Sequence, residues 1–162
     1  MKNLFLIIAL VSVSFLSAQA FEGKGDQKFQ VGVNFQNDGT GINVAYDYGI
    51  GENISIGFSS TYLLGVEEIF DADFGDRFDL KARFNANIGN VLAIDENFDL
   101  YPGLSLGLKN FGGHLGARYF FTEGFGLYTE LNVPFAEYGS DLTPAEEYHN
   151  QFSVNFGAVF NL

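Results

Sequence analysis

The last eleven residues of the chain, Phe152-Ser153-Val154-Asn155-Phe156-Gly157-Ala158-Val159-Phe160-Asn161-Leu162, decide the fold. Every second residue from Phe152 to Leu162 is apolar, and most of the positions between them are small or polar. Alternation with a period of two is the pattern of a β-strand whose two faces meet different surroundings, whereas a helical period of 3.6 would not keep one parity over such a run. The run also has about the nine to eleven residues that a tilted strand needs to cross the hydrocarbon of a membrane.

Seven further segments repeat this alternation, so the sequence predicts eight strands. Eight strands of about ten residues leave room for connections but none for a plug or a separate periplasmic domain. The apolar positions of these segments are Phe29, Val31, Val33 and Phe35; Ile42, Val44, Tyr46 and Tyr48; Ile54, Ile56, Phe58 and Tyr62; Phe78, Leu80, Ala82 and Phe84; Phe98, Leu100, Pro102, Leu104 and Leu106; Leu115, Ala117 and Tyr119; and Phe125, Leu127, Leu131 and Val133.

The composition agrees with a β protein and excludes several functions. Aromatic residues make up 17% of the chain and there are 20 glycines, which favours pleated sheet over helix. Charged residues reach only 17%, below the roughly 25% of soluble domains. Cysteine is absent, which excludes disulfides and thiolate metal sites. The net charge of −12 argues against nucleic acid as a partner.

The first twenty residues have the layout of a secretory signal peptide. Met1-Lys2-Asn3 gives a positive start, an apolar run extends from Leu4 to Leu16, and Ala18-Gln19-Ala20 supplies small residues at the cleavage site. The alternative, a membrane anchor, needs about 20 apolar residues, and this run is shorter. We therefore predict cleavage after Ala20 and a barrel domain over residues 21–162.

The polar faces of the strands separate two kinds of barrel. A soluble sandwich or lipocalin turns its apolar face inward, whereas a membrane barrel turns it toward lipid and fills its lumen with polar side chains. Here the polar faces carry glycines and charges of both signs, and aromatic residues gather near the strand ends, as interfacial girdles do. Ions in a narrow lumen need partners. We predict a lumen ion-pair network made of Asp47, Arg77, Asp79, Lys81, Arg83, Asp99, Arg118 and Glu130.

With these features the chain resembles the small outer-membrane β-barrel proteins of the OmpA/OmpX type. Residues 118–128, a strand, tight turn and strand, look like a periplasmic hairpin of that family, and the terminal strand looks like its C-terminal assembly signal. The chain departs from the family in ending with Leu162 instead of Phe, with Phe160 two residues earlier. The resemblance implies an eight-stranded antiparallel transmembrane up-and-down β-barrel in the bacterial outer membrane. It also implies contact with outer-membrane lipid and with the barrel-assembly machinery.

With both termini periplasmic, the connections fall into two sets. Acidic residues concentrate in the two long outer ones. The ten-residue inner connection, residues 88–97, is longer than a tight turn, and Val91-Leu92-Ala93-Ile94 within it is interpreted as a helical turn at the membrane surface. The predicted inner set is residues 49–53, 88–97 and 122–124, and the outer set is residues 37–41, 64–76, 109–113 and 134–150.

One acidic stretch suggests a metal site. Asp71, Asp73 and Asp76 offer oxygen ligands of the kind that Ca²⁺ prefers, although their spacing is not that of an EF-hand loop. The competing interpretation is a solvated, self-repelling loop. We favour the loop and expect neither a metal nor another cofactor.

Neither a channel nor an enzyme is favoured by the remaining residues. An eight-stranded barrel is just wide enough for its own side chains to fill. His114 and His149 do not have the spacing of a nucleophile–base pair. The sequence therefore predicts a non-enzymatic structural or interaction barrel, with a further envelope protein as a possible partner. A small porin-like channel, a lipid A-modifying enzyme and a soluble lipocalin-like binder are the alternatives.

Overall fold

The computed structural model describes residues 19–37, 39–65, 73–139 and 147–162. These residues form eight antiparallel strands, in which each strand pairs with the next and β8 pairs with β1 to close the barrel. The strands are β1 (Gln27–Gln36), β2 (Gly39–Gly49), β3 (Ile54–Leu64), β4 (Phe78–Ala86), β5 (Phe98–Gly107), β6 (Asn110–Thr122), β7 (Phe125–Glu137) and β8 (Ser153–Asn161). The predicted fold, an eight-stranded up-and-down barrel, is confirmed.

Short helical segments lie in three of the connections. α1 (Phe74–Arg77) precedes β4, α2 (Gly89–Leu92) joins β4 to β5, and a 3₁₀ turn (Tyr148–Asn150) precedes β8. No helix among the described residues has the length and hydropathy to cross a membrane. We call the end of the barrel that holds the chain termini and α2 the inner end, and the opposite end the outer end.

The pleat of each strand sorts apolar side chains outward and polar ones inward. In β3, Ile54, Ile56 and Phe58 are 39%, 45% and 60% exposed, whereas Ser55 between them is fully buried. This is the reverse of a soluble ligand-binding barrel, whose apolar side chains point inward. The predicted assignment of the two faces is therefore confirmed, with an outer surface suited to lipid.

Aromatic rings form belts near both ends of the outer surface. At the inner end, five rings follow one another across β6, β7, β8 and β1 with centroids 5.4–6.5 Å apart: Tyr119, Phe121, Phe125, Phe160 and Phe29. At the outer end, the Phe74 ring lies 5.5 Å from both Tyr62 and Phe78. Amphipathic and aromatic side chains at these levels are typical of membrane interfaces.

Three outer connections are shorter than the sequence predicted. The one predicted over residues 37–41 loses three residues, because β2 already begins at Gly39. The predicted loop over residues 109–113 shrinks to Leu108 and Lys109, because the glycines that suggested a turn belong to β6. Gly112 lies where the β6–β7 register shifts, and a Cβ there would come 2.6 Å from the Val133 carbonyl oxygen. Its role is close approach of two backbones. Pro134 likewise lies inside β7 and not in the following loop.

The seam between β4 and β5 is shorter than its neighbours. Its continuous register runs only from Lys81–Gly107 to Asn85–Gly103. The Leu108 N–H bonds the Leu80 carbonyl at 3.0 Å, and the Ile88 N–H bonds the Leu100 carbonyl at 2.8 Å. The even-numbered residues of β4 and β5 are therefore the ones that face each other in hydrogen-bonded pairs. In that register Pro102 stands opposite Ala86, and proline has no N–H to donate. The sequence therefore removes one ladder bond from this seam.

Candidate functional site: the polar lumen

The middle of the lumen contains a continuous chain of ion pairs. Arg83 contacts the Glu130 carboxylate through Nη2 at 2.7 Å and the Asp47 carboxylate through Nε at 3.1 Å. Arg118 contacts Asp99 through Nη2 at 2.8 Å and approaches the other Asp47 oxygen to 3.7 Å. All five side chains are at most 2% exposed. Asp47 therefore lies between the two guanidinium groups, and the charges compensate one another away from water.

Tyr101 lies between the two arginines. Its ring centroid is 5.6 Å from the Arg83 Cζ and 4.7 Å from the Arg118 Cζ, and its hydroxyl accepts a 3.0 Å hydrogen bond from Gln30 Nε2. Gly116 is the cross-strand neighbour of Tyr101, and a Cβ at Gly116 would collide with the Tyr101 ring. The absence of a side chain on β6 makes the space that the ring fills.

Amide and hydroxyl side chains complete the layer. Asn87 Oδ1 accepts a 2.8 Å bond from Arg118 Nη2, and Asn155 Nδ2 donates to Glu130 Oε1 at 3.4 Å. Ser55 Oγ accepts bonds from Asn85 and Asn87, each at 3.0 Å. These residues form a single network to which each of the eight strands contributes at least one side chain, and Asn87 directly follows the end of β4. Its other members are Gln30, Asp47, Arg83, Asp99, Tyr101, Arg118 and Glu130.

His114 belongs to the same layer. Its Nε2 lies 2.7 Å from Asn85 Oδ1, its ring centroid is 6.3 Å from that of Tyr101, and the residue is 7% exposed. A nucleophile–base pair requires the base to bond a hydroxyl or thiol that substrate can reach. The contact that the structure gives His114 is instead an amide oxygen.

Two of the predicted network residues form a separate group nearer the outer end. Lys81 Nζ lies 3.5 Å from Asp79 Oδ2 and donates to Asn110 Oδ1 at 3.1 Å. The Asp79 side chain is 1% exposed and the Lys81 side chain 19% exposed. The eight residues predicted as one network therefore do not all meet.

Arg77 corrects the prediction most clearly. Alternation along β4 placed it in the lumen, but it ends α1, so the strand parity does not extend to it. Its Nε donates to the Leu63 carbonyl at 3.2 Å and its guanidinium lies 4.6 Å from the centroid of Tyr62. Arg77 thus lies at the outer rim, against an aromatic belt, and not in the central network.

The 3₁₀ turn closes over the outer mouth. His149 Nε2 lies 3.0 Å from the Asp76 carbonyl oxygen, and Asn110 Nδ2 donates to the His149 carbonyl at 2.8 Å. The charged side chains that act on the His149 ring are Asp79, Lys109 and Lys81. Burial, reinforced by the two lysines, lowers the pKa of His149 to about 4, against the opposing effect of Asp79. His149 is therefore neutral at physiological pH and joins the turn to the β3–β4 connection.

The segment before β1 covers the inner mouth. Ala20 and Phe21 are 0% and 1% exposed, and Ala20 packs in an apolar cluster with Phe120, Tyr128 and Val159. Lys28 pairs with Asp26, and its ammonium lies 5.4 Å from the Phe120 ring centroid. The rest of the predicted signal peptide, residues 1–18, lies outside the described residues.

Of the three metal-ligand candidates, only Asp73 and Asp76 are among the described residues. Asp71 lies outside the described residues, and Asp76 accepts a 3.2 Å bond from the Asp73 N–H at the start of α1. Among the described residues, no three His, Asp or Glu side chains come close enough together to hold a metal ion.

Sequence reasoning missed several members of the lumen network. Gln30, Tyr101 and Asn155 lie on the polar faces that alternation identified, so the alternation predicted that their side chains point into the lumen. Lys28 falls on the same face, one residue before the apolar run that marked β1. Uncharged polar residues on an inward face need hydrogen-bond partners as much as charged ones do, and this requirement identifies these residues as members of the network.

Comparison with known proteins supports the fold. A solved de novo designed transmembrane β-barrel is 10% identical in sequence, covers 87% of this chain and 98% of its own length, and aligns with a TM-score of 0.55. The outer membrane protein Ail of Yersinia pestis, solved in a phospholipid bilayer nanodisc, is 13% identical over 86% of this chain and 100% of its own, with a TM-score of 0.46. No curated protein matches the chain. A family described as a family of unknown function, DUF6646, matches residues 11–162, and the chain therefore belongs to that family.

Proposed function

We propose that this chain is a bacterial outer-membrane β-barrel protein with a structural or interaction role, a closed polar lumen and acidic outer connections. The observation that carries the proposal is the buried middle layer of the lumen. Its ions pair with one another at 2.7–3.1 Å and are at most 2% exposed, and Tyr101 lies between the two arginines. A conducting pore would keep such groups hydrated, whereas a barrel of eight strands is filled by its own side chains.

Lipid is the first partner of such a barrel. The apolar outer surface between the two aromatic belts matches the hydrocarbon region and interfaces of a bilayer. The terminal strand β8 would be read by the barrel-assembly machinery, and a further envelope protein would meet the exposed connections. The acids at the outer end include Asp73, Asp76 and Glu147 in the connections and Glu137 at the end of β7, while Glu67, Glu68, Asp71, Asp141 and Glu146 lie outside the described residues.

A non-enzymatic role is favoured by the surroundings of the two histidines. His114 contacts an amide and an aromatic ring inside the barrel, and His149 contacts a backbone carbonyl beneath the 3₁₀ turn. Neither arrangement provides the nucleophile, base and open approach that acyl transfer to or from lipid would need.

Fractionation and conductance together test the proposal. The protein is expected in the outer-membrane fraction, with a gel mobility that changes only on boiling, and purified protein in a planar bilayer is expected to give no steady openings. Recovery as a soluble periplasmic protein would refute the location. Steady openings by a heat-modifiable barrel would show a channel, and altered lipid A in a deletion strain, restored by the gene, would show an enzyme.

A further inference from the structure

An exposed apolar surface lies beyond the wall of the barrel, on the connection that contains α2. Val91, Leu92 and Ile94 are 65%, 46% and 68% exposed, and we call them the inner apolar patch. Contiguous apolar residues left exposed by a folded chain mark a place where something else binds. The patch is at the inner end, apart from the lumen network.

The connection that bears the patch is held in place by hydrogen bonds. The Ala93 N–H closes α2 by bonding the Gly89 carbonyl at 3.1 Å, and Ala93 takes a left-handed conformation that ends the turn. Three further bonds from residues that remain after the predicted cleavage attach the connection to the barrel and to the segment before β1: Gly89 N to Asp99 Oδ1 (3.1 Å), Asn90 Nδ2 to Phe21 O (2.8 Å) and Phe120 N to Asn97 O (2.9 Å). The patch is therefore a preorganised surface.

The connection with the patch joins the inner ends of two strands whose outward side chains are apolar. α2 follows β4, whose outward side chains near the inner end are Phe84 and Ala86, and the connection then leads into β5 through Phe98 and Leu100. The polar side of the turn, through Asn90, bonds the segment that covers the mouth. The apolar side chains of the same turn are left without such partners among the described residues, immediately beyond the end of the apolar wall.

We propose that the inner apolar patch inserts into the acyl chains just below the headgroups of the inner leaflet and anchors the β4–β5 side of the barrel there. This inference rests on the proposed function, since it needs the barrel to span the outer membrane. Short apolar turns that lie in an interface bind through the apolar area that they bury.

The charge of the connection identifies what drives the insertion. Residues 88–98 contain Asp95 and Glu96 and no lysine or arginine. The connection itself therefore supplies no electrostatic attraction to anionic headgroups, and Asp95 and Glu96 mark its side that stays in water. Insertion is expected in zwitterionic phosphatidylethanolamine and phosphatidylcholine bilayers and to be insensitive to salt.

The absence of tryptophan from the chain makes a direct depth measurement possible. Single-tryptophan variants of the whole protein are refolded into phosphatidylcholine vesicles that carry bromine at either the headgroup end or the methyl end of the acyl chains. Leu92→Trp reports on the patch. Glu123→Trp, in the β6–β7 turn at the same end, is the water-exposed control, and Leu127→Trp, on the outer wall of β7, is the lipid-exposed control.

We expect Leu92→Trp to be quenched most strongly by bromines at the headgroup end and to be shielded from iodide. Adding Val91→Asn and Ile94→Asn to Leu92→Trp should raise iodide quenching toward that of Glu123→Trp, while heat-dependent gel mobility shows that the barrel still folds. Iodide quenching of Leu92→Trp equal to that of Glu123→Trp would overturn the anchor. Shielding from both quenchers, with a cross-linked dimer, would place a second copy on the patch and also overturn it. Failure of lipid quenching for Leu127→Trp would instead refute the membrane-spanning proposal itself.

Discussion

The substitution Arg118→Met tests whether the lumen network stabilises the barrel. Methionine keeps much of the length of arginine but removes the charge and the donors. In the structure Arg118 donates to Asp99 Oδ2 through Nε at 3.1 Å and through Nη2 at 2.8 Å, and to Asn87 Oδ1 at 2.8 Å. The substitution leaves Asp99, which is 1% exposed, with the Gly89 N–H as its remaining described hydrogen bond.

The cost follows from the carboxylate that is left behind. Removing one partner of a buried pair destabilises a protein by about 3–5 kcal/mol, because the remaining charge stays desolvated without compensation. With a urea dependence of about 2–3 kcal/mol/M, this loss moves the unfolding midpoint down by about 1–2.5 M. Adding Asp99→Asn removes that charge, so the double variant should recover part of the loss.

Equilibrium urea unfolding in phospholipid vesicles, followed by gel mobility without boiling, measures the change. Lys81→Met is the matched control: its ammonium also pairs with a buried carboxylate, but the side chain is 19% exposed and the separation is 3.5 Å. Its expected cost is smaller than that of Arg118→Met, because a partly solvated ammonium at 3.5 Å compensates Asp79 less than two short bonds compensate Asp99. A loss for Arg118→Met no larger than that of Lys81→Met would refute the reasoning. So would a double variant that loses the sum of both single effects.

Three further predictions concern other parts of the barrel. Gly116→Ala should cost about 1–3 kcal/mol in the same unfolding assay, because its Cβ would collide with the Tyr101 ring, and Tyr101→Leu in the same chain should restore part of that. Pro102→Ala supplies the missing N–H opposite Ala86 and should slow amide exchange in residues 100–103, with unchanged exchange there contradicting the assigned register. Lowering the pH from 6.5 toward 4 should weaken the outer 3₁₀ turn. When the turn is open, His149 binds a proton once the pH falls below the ordinary histidine pKa. When the turn is closed, the pKa of His149 is lowered to about 4 and the ring resists protonation. The free energy that favours the closed turn should fall by about 3 kcal/mol in full. Amide exchange of residues 147–152, corrected for its intrinsic pH dependence, measures this change, and His149→Gln should abolish it.

The fold was readable from the sequence because the membrane imposes a simple rule. Each strand separates lipid from lumen, so alternation persists along its whole length, as in β8. The bounds of the connections were less predictable. Gly112 resembles a turn residue in sequence, and only the approach of the β7 backbone shows that it belongs to a strand.

The sequence predicted which side chains face the lumen, but not the level along the barrel axis at which each one lies. Parity places Asp47, Asp79 and Arg83 on the lumen face, yet which of them meet depends on the stagger between strands, which parity does not contain. Asp79 therefore lies with Lys81, while Asp47 reaches Arg83 and Arg118. The fit of Tyr101 over Gly116 also required the β5–β6 register. For Arg77, the helical turn before β4 interrupted the parity on which the prediction rested.

The Glu130–Arg83–Asp47–Arg118–Asp99 chain also has a consequence for the order of events during assembly. Its members are carried by β7, β4, β2, β6 and β5, while Gln30 and Asn155 come from the two strands that meet last, β1 and β8. A sheet that has not yet wrapped around can pair Asp99 with Arg118 on the adjacent strand, but it cannot bring Arg83 to Glu130 or Arg118 to Asp47. Ions left unpaired in hydrocarbon are costly. Water must therefore accompany the curling sheet until β1 meets β8, when it is expelled as the ions pair. Insertion and closure are then a single cooperative step, and the interior acts as a check that the ring has formed with the right number of strands and the right stagger.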